Sequence, residues 1–417
     1  MSPYSSLNTL YSRSLFARDD SPPSNFTCAR PKANEHGELL SLGITFKSLM
    51  VYITAACLIL TAMSTIILSS KHLLQYTVPK QQKQIVRIIF MPFFFSVLSL
   101  FSVLYEEKSI YLKPITQVYE AFCVAAIFFL FLEYVCPEEA KRPAYFTQVE
   151  NQDKKGNVIP GGSLLWYNRT WVAILQFPLI KTILTVVEIS TQAANVYCAN
   201  SLSPKYAHLW VILIDTFIIS GALTALFRFY GRLKPEFDPK HHALAKLATF
   251  KGMLIFLFFL DIIFGFLNGK TFKPSAKFTY NDLYYGLPMM LTAVMALIFS
   301  LSFHWSFGTR VYRDERSGPG RLPFMRAALD AANLMDLLRG IYIAFVKRSP
   351  DGVRSPGTYQ GWVPGGLRRQ RTLELNGPMF GPARVPEAYR GFLERAGRSR
   401  GSSRWEEDTR KEPRNMV

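Results

Sequence analysis

The chain has 417 residues, 49% of them hydrophobic and 14% aromatic, with a formal charge of +18. A soluble protein of this length normally carries two or three domains with scattered apolar residues. Here the apolar residues are gathered into long blocks while Lys and Arg fill the gaps and the tail, so an all-α, polytopic membrane protein is predicted. Its five cysteines are too few and too scattered for a disulfide scaffold or a CxxC zinc site.

Residues 1–43 are polar and lack the apolar core of a signal peptide. They read as a flexible arm, and the first apolar run is expected both to target the protein and to stay in it. A helix needs about 20 mainly apolar residues to cross the hydrocarbon core. Seven stretches approach that length: Ile44–Leu68, Ile85–Leu104, Ile115–Val135, Thr170–Ile189, Leu209–Phe227, Leu247–Leu267 and Leu283–Phe307. Together they predict a seven-helix bundle over residues 44–307.

Orientation follows from the short loops. Lys71, Lys80 and Lys83 follow span one, with Arg87 just inside span two. Lys141, Arg142, Lys154, Lys155 and Arg169 follow span three, and Arg232, Lys234, Lys240 and Lys246 follow span five. The alternate loops are poorer, although Lys270, Lys273 and Lys277 after span six form a mild exception. The odd-numbered loops and the C-terminus are therefore expected in the cytosol, and the N-terminus in a lumen or outside. That topology exposes the sequon at Asn25 to glycosylation and leaves the sequon at Asn168 unmodified. Cys28 and Cys198 would share the oxidising side, and a disulfide or two free thiols are both open.

Beyond the bundle, residues 308–348 form a juxtamembrane region. Met325, Leu329, Leu334, Leu338, Ile341 and Phe345 recur there at helical spacing, with Arg326, Asp330, Asp336 and Arg339 on other faces. The pattern predicts one amphipathic helix lying on the cytosolic leaflet or docking a partner. Residues 349–417 are rich in Gly, Pro, Arg and Ser, which predicts a disordered basic tail drawn to anionic lipid rather than to nucleic acid.

Charges inside the spans point to function, because a carboxylate in hydrocarbon costs several kcal/mol without a partner or water. The orientation places Glu120, Glu188, Asp215 and Asp261 in the lumenal half and Lys181 near the midplane. Glu120 is expected to pair with Lys181, and the five together to line a water-accessible cavity that binds a polar or amphipathic solute or relays protons. The competing reading is a set of ion pairs that only lock the bundle. Glu133 and Arg228 read as interfacial anchors and His304 as a headgroup contact.

Several classes are set aside. Span seven contains no Lys for a retinal Schiff base, and span three ends in Leu132-Glu133-Tyr134 rather than Asp-Arg-Tyr. Span seven also lacks Asn-Pro-x-x-Tyr, which argues against a G-protein-coupled receptor. No P-loop, GxSxG or HExxH motif occurs, so neither an enzyme nor a cofactor is expected. His241-His242 stands alone, and no metal is assigned to it.

Met91-Pro92 with the run FFFSVLSLFSVLY, then Tyr119-Glu120-Ala121-Phe122 and Leu175-Gln176-Phe177 with Lys181 close behind, form one recognisable set. With FRFYGRLKP and LATFKGMLIF they resemble the organic solute transporter alpha family, including its transmembrane protein 184-like, fungal-type members. The resemblance runs from Ile44 to Phe307. It implies a seven-helix carrier of amphipathic organic solutes, working with a single-span partner subunit; a homo-oligomer is the open alternative. It further implies a vacuolar or other endomembrane location. It also implies a competing role for the helix after the bundle, in which Asp330, Asn333, Leu334, Asp336 and Leu338 dock a ubiquitin-like autophagy protein. Two departures concern the substrate rather than the architecture. Span six has apolar residues and Asp261 where the family tends to have Trp-Gln. Span seven has Leu287-Pro288-Met289-Met290 where it tends to have a Glu.

Overall fold

A computed structural model of the protein describes residues 37–41, 43–149, 162–198, 203–267, 275–313 and 323–345. The chain divides into two compact units, Met1–Pro364 and Gly365–Val417, and the second lies outside the described residues. The expected tail, Asn25 and Cys28 lie outside them as well.

Among the described residues, seven helices are long and apolar enough to cross a membrane. The first, α1 (Phe46–Leu74), starts at Thr45, whose hydroxyl caps the Ser48 N–H, and ends with Lys71 and His72 in its last turn. The second span is two helices, α2 (Pro79–Ile89) and α3 (Met91–Leu104), joined at Phe90. Pro92 has no N–H to continue the ladder, and it stands in the first turn of α3, where that loss is free. The third span is α4 (Ser109–Val135), followed by the short α5 (Arg142–Gln148). Next come α6 (Leu164–Ala193), α7 (Ala207–Leu233) and α8 (Ala243–Leu267). The seventh span begins with a π turn over Asp282–Gly286 and continues as α9 (Leu287–Ser306).

Consecutive spans run antiparallel, so the Lys- and Arg-rich connections gather at one end, called the basic end below. His72 Nε2 meets the Phe307 carbonyl there at 2.8 Å, and Gln81 reaches the Glu133 carbonyl. The centre of the bundle is α4, whose residues from Val124 to Leu132 are almost wholly buried. To one side α1, α3 and α9 pack on one another, and to the other α6 and α7 pair beside α4. Outward rows such as Tyr52, Ile59, Met63 and Ile66 on α1, and Leu213 and Phe217 on α7, are exposed. Those rows are the surface a lipid tail would cover.

The juxtamembrane segment departs from the single predicted helix. After the one-turn α10 (Arg310–Arg313), it forms α11 (Phe324–Ala332) and α12 (Met335–Phe345). Asn333 breaks them apart, and its side-chain oxygen accepts from the Met335 N–H at 3.0 Å, capping α12. Both helices pack into the basic end, α11 against α1 and α2 and α12 against α4 and α6.

Candidate functional site

The charges inside the bundle meet on α4, α6 and α7. Lys181, buried on α6, donates to Asp215 Oδ2 of α7 at 2.8 Å. This corrects the expected Glu120–Lys181 pairing: the carboxylate on Lys181 comes from span five. Glu120 lies half-buried on α4, near enough to act electrostatically on Cys123, and has interactions of its own. Glu188 lies seven residues beyond Lys181 on α6, hence on the same face. It acts on the Tyr197 phenol and lies in the field of Lys181, Lys113 and Asp215. Burial first, and then Glu188, hold that phenol protonated, so it stays a donor. The side chain of Asp261 lies outside the described residues.

Two prolines sit at this level. Pro114 in α4 and Pro178 in α6 each remove one ladder hydrogen bond, to the carbonyls of Ile110 and Ile174. Thr185 donates to the Pro114 carbonyl at 3.3 Å, which ties α6 to α4 beside Lys113. Asp215 Oδ1 is buried and has no hydrogen-bond partner among the described residues. The site therefore presents two amines, two carboxylates, a phenol and an unused acceptor. On α6 and α7, Ile183, Val186, Ile214 and Phe217 are exposed apolar side chains. Lys113 and Tyr197 were missed in the sequence, because one lies at a span's edge and the other in a loop.

At the basic end a second polar constellation joins the bundle to α11 and α12. Arg87, buried on α2, uses all five of its donors. Its Nη1 and Nη2 grip the two oxygens of Asp336 at 3.0 and 2.7 Å. Its Nη1 also meets Gln84 Oε1 at 2.8 Å, its Nε meets the Ala331 carbonyl at 3.2 Å, and its Nη2 meets the Asn333 carbonyl. Lys83 and Gln84 add to the hold on Asp336. Burial pushes the Asp336 carboxyl up, but Arg87, Lys83 and Gln84 more than reverse that and keep it below its usual 3.8. Tyr76 donates to Asp330 Oδ2 at 2.7 Å. Asp330, Asp336 and the Asn333 carbonyl thus face the bundle, while Leu334 and Leu338 face outward. The sequence reading had assigned all five to docking a partner, with the acids on other faces than the leucines.

Glycine makes the seat of α12 close. A Cβ on Gly340 would stand 2.6 Å from Phe129 Cζ and 3.1 Å from Leu175 Cδ1. Trp171 donates its indole N–H to the Gly340 carbonyl at 3.2 Å. With α12 in place, a cavity of about 110 Å³ remains, bounded in part by Lys80, Lys83, Glu133, Arg142, Trp171 and Arg339. A drug-sized ligand needs about 300 Å³ or more.

Other expected residues also find their places. Glu133 is buried and paired to Arg142 at 2.6 Å. His304 Nε2 lies 3.0 Å from Ser64 Oγ, which links α9 to α1. His241 stacks on Tyr134. Cys198 is disulfide-bonded, whereas Cys57 and Cys123 are free thiols.

Seven apolar helices with buried charges between them define an integral, multi-pass membrane protein of the solute-transporter type. A family model described as organic solute transporter Ostalpha matches residues 50–312, and the chain belongs to that family. A transmembrane protein 184 homolog of Dictyostelium discoideum is 24% identical over 255 residues, covering 57% of this chain and 49% of that relative. The chain thus spans about half the length of that relative. No solved structure matches it.

Proposed function

We propose that the protein carries an amphipathic organic solute along the α4/α6/α7 side of the bundle. The observation that carries this reading is the Lys181–Asp215 pair with its unused Oδ1 acceptor, flanked by Glu188 and by apolar surface open to lipid. A polar group on the solute replaces the missing donor at Oδ1, while its apolar body lies along Ile183, Ile214 and Phe217. Intramembrane ionisable groups favour such a role. The small cavity at the basic end supports a second element of the reading: α12 is a stopper that leaves its seat for solute to pass. The basic end faces the cytosol, as the concentration of Lys and Arg in its loops favours. The membrane is a vacuolar or other endomembrane, with Asn25 glycosylated and Cys28 bonded to Cys198 on its lumenal side. A single-span subunit or a second copy of the chain completes the carrier.

Uptake of a panel of amphipathic organic solutes into proteoliposomes tests this. Lys181→Met and Asp215→Asn are each expected to lower flux at least tenfold with the protein still folded. Wild-type flux of every solute through the double variant refutes the assignment.

A second reading has its own observation. Leu334, Met335, Leu338 and Tyr342 form an exposed apolar row on the outer side of α12, suited to a ubiquitin-like autophagy protein in the groove-docking mode. Binding that survives Leu334→Asp with Leu338→Asp removes that role.

A further inference from the structure

At the end opposite the basic one, two acids meet that the carrier reading does not use. Glu106 lies in the 3₁₀ turn Glu106–Lys108 between α3 and α4. Asp282 opens the π turn before α9, an irregularity that tends to occur at functional sites. Glu106 is 6% exposed and Asp282 2%. Each carboxyl is anchored through one oxygen. Asp282 Oδ2 accepts from the Thr279 N–H at 3.0 Å, and Glu106 Oε2 stands 3.7 Å from Lys47 Nζ. The remaining oxygens, Glu106 Oε1 and Asp282 Oδ1, have no donor from any other described residue. The two carboxyls nevertheless lie within hydrogen-bonding range of one another.

Two acceptors at that range need a hydrogen between them. If both acids were ionised, two like charges would share a site closed to water, where one of the pair is driven to keep its proton. The surroundings hold them together. A Cβ on Gly286 would come 3.0 Å from Glu106 Oε1 and 2.7 Å from Met50 Cε, so the turn before α9 closes on Glu106 only because residue 286 has no side chain. Gly37 covers the other flank, where a Cβ would stand 3.8 Å from Asp282 Oδ2.

We propose that Glu106 and Asp282 form a binding site for a single proton, taken up from and returned to the solution on that side of the membrane. The charged groups that act on Glu106 are few. Burial raises its carboxyl most, Lys47 on α1 opposes this, and Asp282 adds to it, which brings the group to about 7. Lys108 shares its turn, Lys113 of α4 acts on Glu188, and α3 brings no charge at all. The site stands independently of the solute reading, because none of its residues belongs to the α4/α6/α7 constellation.

The sign of the effect is fixed. A carboxyl raised above its ordinary 4.5 binds more protons folded than unfolded, so its stabilising contribution is full in acid and is lost as pH rises through about 7. The test is thermal unfolding of the full chain in nanodiscs from about pH 5 to about pH 9, with infrared difference spectra over the same range. The wild type is expected to lose melting temperature across about pH 7, together with a protonated-carboxyl band. Glu106→Gln, whose amide supplies the hydrogen permanently, is expected to lack both changes. Should that variant not fold, Asp282→Asn tests the same pair. A wild-type band that does not titrate overturns the proposal, as does a pH profile unchanged in both variants. A melting shift at fixed pH that follows sodium over choline also overturns it, since the pair would then hold a metal cation.

Discussion

The two sides of the bundle are built from different chemistry. Where α1, α3 and α9 meet, the contacts are small and hydroxylated: Thr54, Thr61, Thr65 and Ser69 on α1, Ser96, Ser99 and Ser102 on α3, and Ser300 on α9 are all buried. Small residues let backbones approach closely in a membrane, where lipid offers no hydrophobic drive to associate. Where α4, α6 and α7 meet, the contacts are large rings and charges. Phe128 packs edge-on against Trp171 and Phe229, Arg232 lies 4.5 Å over the Trp166 ring, and Lys181 grips Asp215. The first side is held by shape and changes little if a hydroxyl is lost. The second is held by partners, each of which becomes a liability if the other is removed.

The largest effect belongs to the basic end, where partner dependence is greatest. Asp336→Ala leaves the Arg87 guanidinium buried without its carboxylate, and unfolding stability in detergent is expected to fall by about 3 kcal/mol. Arg87→Met with Asp336→Leu should recover most of that loss. If the single variant costs as little as a surface substitution, Arg87 does not clamp the segment. The same pair gives an acid limb opposite to that of Glu106. Asp336 is held below its usual 3.8, so its contribution is present above that value and is lost as pH falls through the lowered one. The next effect is steric. Gly340→Ala drives a methyl group into Phe129 and Leu175, with an expected cost of about 1–3 kcal/mol and a faster proteolytic release of α12. The smallest effect has the opposite sign. Thr61 Oγ1 has no partner among the described residues, so Thr61→Val should be neutral or stabilise by about 0.5 kcal/mol. A loss of similar size would mean that the hydroxyl does bond in the membrane and that the two sides differ less than described.

The sequence disclosed the spans, because hydrocarbon demands long uninterrupted apolar blocks and nothing else in the chain imitates them. It disclosed which charges lie inside the membrane but not how they pair. Lys181 and Asp215 are 34 residues apart on neighbouring helices, and helical periodicity orders residues within a helix, not between two. Arg87 entered the reading only as a topology-setting charge, since its counterion lies 249 residues further on. Its depth was a usable signal: it stands two turns into α2, too far for an arginine that only marks the interface. Glu106 and Asp282 escaped because each stands just outside the predicted spans, and only the packing of α1, α3 and α9 brings them together. The periodic apolar residues after the bundle predicted helix correctly but chose the outward face, because beside Leu337 and Ile343 the inward one is made of Ala327, Ala331, Gly340 and Ala344. Such small residues carry little hydropathy and much contact.

The separation of Arg87 from Asp336 also bears on how the protein is made. At about 5–20 residues per second, the ribosome takes roughly 12–50 s to travel from one to the other. Throughout that interval five further spans enter the bilayer while a buried cation waits for its counterion. Only the arrival of α12 neutralises it, so the last described helix reports that the whole bundle has been synthesised. A chain halted before Phe324 would carry an orphaned arginine inside the membrane, a mark by which quality control can tell an unfinished copy from a finished one.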